Sequence, residues 1–145
     1  MNKPIFIAAY HQSKFGKLMG LSIPEIVTKS VTEVCSEINA DPSSIDVGSI
    51  GAACNFSLNE QGLLAGLVAM VPGMQGKSIE AVENACATGS QAIVSIIQKL
   101  QLGMGDVGIA VGFEKMRASF ARRPPLRSFS RPRVSDDNAF SEAQF

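Results

Sequence analysis

Between residues 5 and 112, short apolar runs alternate with stretches whose apolar residues recur at helical spacing, and this alternation restricts the fold more than any other feature. Ile5 to Ala9 is a short apolar run that reads as a first strand. Ser22 with Glu25 three positions later is a capping-box signature, and Pro24 sits in the first turn, where its missing N–H does no harm. Ile23, Ile26, Val27, Val31, Val34 and Ile38 then follow helical spacing and predict a helix over 23–39. Asp41-Pro42-Ser43-Ser44 breaks it, and Val47 to Ala53 supplies a strand of small residues ending near Cys54 and Asn55. A second helix is expected over 60–70, ahead of a Pro72-Gly73 turn, and Ser78 to Val82 reads as a third strand. Thr88 to Leu102 places Ile93, Ile96, Ile97 and Leu100 at helical spacing with Val94 alongside, predicting a helix apolar around much of its girth and substantially buried. Gly103 and Gly105 end it, and Asp106 to Gly112 is a fourth strand. The order βαβαβαβ predicts an α/β fold: a mostly parallel sheet with right-handed crossovers and helices on both faces.

The 145 residues are enough for one ordinary domain that needs no disulfide scaffold. No apolar stretch approaches the roughly 20 residues of a membrane helix, and Met1 to Tyr10 is too short and weakly charged for a secretory signal. A cytoplasmic protein is therefore expected, with mitochondrion or peroxisome open for a eukaryotic source; Ala143-Gln144-Phe145 is not a peroxisomal terminus. The zero net charge hides a split. Residues 1–116 hold all seven lysines, no arginine and ten acids, a net of −3, whereas residues 117–145 hold all six arginines, no lysine and three acids, a net of +3. That second segment lacks isoleucine, glycine and apolar periodicity, so the expected organisation is an α/β domain over 1–116 and an irregular, Arg- and Pro-containing tail over 117–145. Arginines among phenylalanines would suit phosphate contacts and base stacking. The three acids and the modest +3 weigh against that reading, and no nucleic-acid or membrane partner is expected. Cys35, Cys54 and Cys86 are an odd set without CxxC spacing, and His11 is the sole histidine; free thiols and no metal site are expected.

Gly103-Met-Gly105-Asp-Val-Gly108 matches GxGxxG literally, but a dinucleotide fingerprint follows a strand and opens a helix. Here the motif closes a helix and enters a strand, so it reads as a C-cap and turn. Asn55-Phe-Ser57 is a chance match to a glycosylation acceptor, and His11 reads as a surface or loop histidine without a local partner. Cys35 in mid-helix and Cys54 in a strand read as small packing residues. The informative stretch is Val82-Glu83-Asn84-Ala85-Cys86-Ala87-Thr88-Gly89-Ser90. It puts Cys86 between a strand and a helix, where free N–H groups and the helix dipole favour a thiolate. The small Ala85, Ala87 and Gly89 leave room for a carbonyl, and backbone N–H groups there could stabilise an oxyanion. On physical grounds a small apolar residue buried in an α/β core is an equal reading of Cys86.

Asn84-Ala85-Cys86-Ala87-Thr88-Gly89-Ser90 resembles the nucleophile motif of thiolases, and Gly112-Phe113-Glu114-Lys115-Met116 resembles the strand-end motif that follows it. The pair is most similar to the sterol-carrier-protein-2 branch, and the likeness covers about residues 3–116. Ketoacyl synthases share the architecture and the cysteine but fit these two motifs less well. The resemblance implies that Cys86 accepts an acyl group from acyl-CoA as a thioester, with its backbone N–H on the oxyanion and Asn84, Ala87, Thr88 and Gly89 supporting it. The acyl group would pass to CoA in thiolysis or to an acyl-CoA enolate in Claisen condensation. CoA is then a cosubstrate, and no cofactor is expected. Such enzymes pack two similar halves face to face, usually as dimers, and the second half supplies a histidine and a second cysteine. This chain has no histidine after His11 and no cysteine after Cys86. The expectation is an N-terminal half that is inactive alone and partners acyl-CoA, a homodimer mate or a complementary half; the alternative is a non-catalytic half-domain that binds such a partner.

Overall fold

The computed structural model describes residues 4–16 and 18–115. In chain order the elements are α1 (Ile23–Ser36), β1 (Val47–Gly51), α2 (Asn55–Asn59), α3 (Leu64–Ala69), β2 (Ser78–Val82), α4 (Thr88–Gln101) and β3 (Gly108–Gly112), with short 3-10 turns at Pro42–Ser44 and Ala85–Ala87. The three strands form an all-parallel sheet in the order β2-β1-β3. Every residue of the central strand β1 is buried, as a parallel strand covered on both faces must be.

Alternation along β1 sends its side chains to two different cores. Ile50 joins Val27 and Val31 of α1, Leu67 and Val68 of α3, Val71, Met74, and Ile109 and Val111 of β3. Val47 points to the opposite face and packs with Ile96 and Leu100 of α4. Helices thus cover both faces: α1 and α3 on one, α4 on the other. Val27, Val31, Ile50, Val71 and Met74 are all fully removed from solvent. Each such side chain contributes roughly 1.5–3 kcal/mol of transfer free energy.

Helix α1 begins where the capping box places it. Ser22 Oγ accepts from the Glu25 N–H at 3.4 Å and the Glu25 carboxylate accepts from the Ser22 N–H at 2.6 Å. The reciprocal bonds satisfy two N–H groups that the first helical turn leaves open. The helix stops three residues before the expected position 39, because Asn39 turns left-handed (φ 53°) and the Ala40 N–H folds back to Cys35 O at 3.0 Å. The GxGxxG segment is the expected turn after α4: Gly103 sits at φ +75° and the Met104 N–H donates to Lys99 O at 3.0 Å, closing that helix.

Further expectations need correction. Ile5 to Ala9 is not a strand: its backbone pairs with no ladder, Phe6 and Ile7 are 82% and 87% exposed, and only Ile5 reaches the Val47–Ile96–Leu100 cluster. A strand needs a neighbour for its N–H and C=O groups, and among the described residues this run has none. The helix expected over 60–70 is two shorter ones, α2 and α3, separated by left-handed Glu60 (φ 57°) and Leu63 (φ 51°). The strand expected over 106–112 starts at Gly108, since the Asp106 and Val107 N–H groups donate to Asp46 Oδ2 at 2.8 and 3.0 Å instead. Finally, α4 is apolar around much of its girth but is buried along one side only, not substantially buried as expected. Thr88, Ala92, Ile96 and Leu100 form its buried stripe, while Ile93 and Val94 are exposed. The tail expected over 117–145 lies outside the described residues.

Candidate active site

Three parallel strands end at the same edge of the sheet, and the chain that leaves each of them carries polar or nucleophilic residues. After β1 come Ala53, Cys54 and Asn55; after β2, Glu83 to Thr88; after β3, Phe113, Glu114 and Lys115. In open α/β sheets this carboxyl edge is where ligands bind.

Cys86 lies on the 3-10 turn Ala85–Ala87, directly before α4, and its side chain is exposed. Exposure removes the reading of Cys86 as a buried packing residue. The turn is built by its neighbours. Thr88, buried against the sheet, donates from Oγ1 to Ala85 O at 2.7 Å and accepts from the Asn84 N–H at 2.8 Å. The Ala87 N–H donates to Asn84 O at 2.9 Å, and the Glu83 carboxylate accepts from the Ala85 N–H at 2.6 Å. Ala85 itself is left-handed at φ 45°, a conformation that costs a non-glycine residue of order 1–3 kcal/mol and is held only where surrounding bonds over-determine it. Those four bonds do so, and they present Cys86 at the tip of the turn.

Of the expected supporting residues, Asn84 and Thr88 therefore shape the turn, Asn84 through its backbone and Thr88 through its hydroxyl. Ala87 contributes its N–H, and Gly89 leaves open space, with no heavy atom within 4 Å of where a Cβ would stand. Thr88 can sit this low because β1 carries Gly51 beneath it. A Cβ at Gly51 would lie 2.4 Å from Thr88 Cγ2 and 3.2 Å from Thr88 O.

The segment after β3 acts as a clasp across this edge. The Phe113 N–H donates to Gly51 O at 3.1 Å, and Phe113 packs on the α1–sheet core. Glu114 Oε2 accepts from the N–H groups of Ala53 at 2.9 Å and Cys54 at 3.0 Å, which is why β1 stops at Gly51 and not at the expected Ala53. Lys115 Nζ donates to Leu21 O, ahead of α1, and Lys115 O accepts from Asn59 Nδ2 at 2.8 Å. Asn59 also reaches Asn55 Oδ1 at 3.3 Å, while buried Asn55 donates to Gln61 O at 2.5 Å.

Cys54, expected inside a strand as a packing residue, instead stands just past β1, half-buried beside this clasp. Burial pushes its thiol up, and the charges of Glu114, Cys86 and Glu83 push the same way. Cys35 keeps its expected place in the α1 core, where burial first and Asp41 second raise its thiol. His11 has a partner that sequence distance concealed: its Nε2 lies 2.6 Å from Glu33 Oε2 on α1, so it is engaged there and not with Cys86. Cys54, Asn55 and Glu114 were not among the residues expected at the site. The signals pointing to them were their positions immediately after a strand and, for Glu114, its place in the Gly112–Met116 motif.

The chain matches the family described as thiolase, N-terminal domain, over residues 5–138. It belongs to the thiolase family. Among curated relatives, the thiolase chain is 26% identical over 114 residues to acetyl-CoA acetyltransferase from Methanothermobacter thermautotrophicus, covering 79% of this chain and 30% of that protein. The corresponding enzyme of Methanocaldococcus jannaschii is 28% identical over 114 residues, again 79% of this chain and 29% of the relative. Sterol carrier protein 2 of Gallus gallus is 26% identical over 119 residues, 80% of this chain and 21% of the relative. This thiolase chain thus spans less than a third of the length of the relatives it matches. Among the described residues no helix is long and apolar enough to cross a membrane.

Proposed function

We propose that the chain supplies the acyl-accepting half of a thiolase-type acyltransferase, with Cys86 as the nucleophile. The observation that carries this reading is the exposed Cys86 on a strained turn, held by four hydrogen bonds of its neighbours, at the carboxyl edge of a parallel sheet. The Cys86 thiolate attacks the carbonyl of an acyl-CoA thioester, the Cys86 N–H donates to the developing oxyanion, and the CoA thiolate leaves. The acyl group then sits on Cys86 as a thioester, ready for CoA in thiolysis or for an acyl-CoA enolate in condensation. Asn84, Ala87 and Thr88 hold the turn and Gly89 leaves the approach open. CoA is a cosubstrate here, with no further cofactor. Acylation needs only the thiolate fraction of Cys86, but removing a proton from the incoming CoA thiol or acyl-CoA needs a base, and His11 is occupied by Glu33, so the chain alone is expected to acylate without sustained turnover.

The test is acetyl-CoA added to the reduced chain, followed by intact mass and peptide mapping. One acetyl group on Cys86, labile to hydroxylamine and absent in Cys86→Ala, is the expected result. Acetylation confined to Cys54 or lysines overturns the reading. Turnover of about 1–1,000 per second by the chain alone overturns the expected dependence on a second half.

A second reading is favoured by the outward side of α4, where Ile93 and Val94 are 49% and 43% exposed. In it the chain is a non-catalytic half-domain that pairs with a complementary thiolase half or a second copy. Cys86 would then stay unacylated while the pairing forms.

A further inference from the structure

Cys54 has no part in the acyl transfer set out above, yet it stands at the same sheet edge as Cys86. β1 and β2 pair in parallel with Gly51 opposite Val82, and both chains leave the sheet on the same side. Cys54 follows three residues beyond Gly51 and Cys86 four beyond Val82. Neighbouring strands run about 4.8 Å apart, so the two chains leave the ladder side by side; the disulfide requires that their cysteines come within roughly 4.4–6.8 Å between Cα atoms. Both positions are also held. Glu114 pins the Cys54 N–H at 3.0 Å, and the Thr88 and Ala87 bonds fix the Cys86 turn. Burial first, then the charges of Glu114, Cys86 and Glu83, raise the Cys54 thiol, in keeping with their shared position at this edge. Cys35, by contrast, is enclosed in the α1 core.

We propose that Cys54 is a resolving thiol that closes a reversible intramolecular disulfide with Cys86 when the exposed Cys86 is oxidised by a peroxide. The regulatory meaning of this disulfide, protection of the nucleophile, rests on the acyl-transfer reading; the bond itself does not. In the first step the Cys86 thiolate attacks hydrogen peroxide. The O–O bond breaks, an S–O bond forms, and the hydroxide released takes a proton to become water. In the second the Cys54 thiolate attacks the Cys86 sulfenic sulfur; the S–S bond forms, the S–O bond breaks, and the departing hydroxide takes the proton lost by Cys54. Two thiols are oxidised and one peroxide is reduced to two waters. A dithiol returns both cysteines. Glu114 faces Cys54 from the segment after β3, and Glu83 and Cys86 from the segment after β2, all negative when ionised. The second step therefore accelerates as pH rises.

The experiment treats the reduced full chain with equimolar hydrogen peroxide, blocks remaining thiols with N-ethylmaleimide, and maps the peptides. The expected product is lighter by two hydrogens, carries a Cys54–Cys86 cross-linked peptide, alkylates Cys35 after unfolding, and reverts with dithiothreitol. Cys54→Ser and Cys54→Ala are both expected to lose the cross-link and leave Cys86 as a sulfenic acid that dimedone traps. Sulfinic acid on Cys86, or Cys86-linked dimers, with Cys54 still alkylated in the wild-type chain overturns the proposal. Acetyl-CoA labelling of the same reduced sample separates the two readings. Acylation of Cys86 without the cross-link sinks the disulfide alone, and the cross-link without acylation supports it while sinking the acyl-transfer role.

Discussion

Gly51 carries more of the site than its missing side chain suggests. It ends the central strand, accepts the Phe113 N–H through its carbonyl, and lets Thr88 settle close enough to hold the turn on which Cys86 stands. Gly51→Ala places a methyl 2.4 Å from Thr88 Cγ2, and the backbone carbonyl of Thr88 at 3.2 Å leaves little room to retreat. Overpacking of this kind costs about 1–3 kcal/mol. Urea unfolding should report that loss, and Cys86 alkylation rates should change with it because the turn moves; an unchanged midpoint would show that Thr88 is free to shift. Glu114 acts on its neighbour in a different way. Its carboxylate raises the Cys54 thiol together with burial, the larger cause. Glu114→Gln keeps an oxygen to accept the two N–H bonds and removes the charge. Iodoacetamide modification of Cys54 should then rise at lower pH than in the wild type, and a pH profile that does not move would mean burial acts alone.

The elements were legible in the sequence wherever a local pattern determined them. The capping box started α1 at Ile23, Ser78–Val82 is a strand at the expected bounds, and the GxGxxG glycines closed α4. The misplaced strand ends trace to hydrogen bonds between residues about sixty positions apart: Glu114 takes the N–H groups after β1, and Asp46 takes those before β3. The same holds for the site. The exposed turn that carries Cys86 is built by its own neighbours in sequence, whereas Cys54 and Glu114 join that edge only when the ends of β1, β2 and β3 meet. Asp46 makes a measurable example of such a distant tie. Its two N–H donors, Val107 and then Asp106, hold its carboxyl below the ordinary value. A group depressed in the folded state stabilises fully above its unfolded pKa and loses that contribution as pH falls through the folded value. The unfolding midpoints of the wild type and Asp46→Asn should therefore be furthest apart near neutral pH and converge as the solution is acidified below about pH 4. A gap that stays constant across that range would show that the charge of Asp46 is not what holds the start of β3.

Among the described residues three strands and four helices close two cores and leave several large apolar side chains exposed. Phe6, Ile7 and Phe15 of the N-terminal segment are more than four-fifths exposed, and Ile93 and Val94 line the outward side of α4. α4 is also the helix whose N-terminus follows the Cys86 turn, so whatever covers its outward side also approaches the site. A contiguous apolar patch on a monomer marks a surface that another molecule occupies. The α4 surface can be tested without disturbing either core, because Ile93 and Val94 lie off the stripe formed by Ala92, Ile96 and Leu100. At micromolar concentration the chain should bind an apolar-sensitive dye and elute larger than a monomer. Ile93→Lys with Val94→Glu should shift it toward the monomer while the unfolding midpoint stays within about 0.5 kcal/mol, the usual range for surface substitutions. A wild-type chain that elutes as a clean monomer and binds no dye would sink the pairing. If the double variant changes stability but not assembly, α4 is not the face that pairs, and the N-terminal segment becomes the surface to alter.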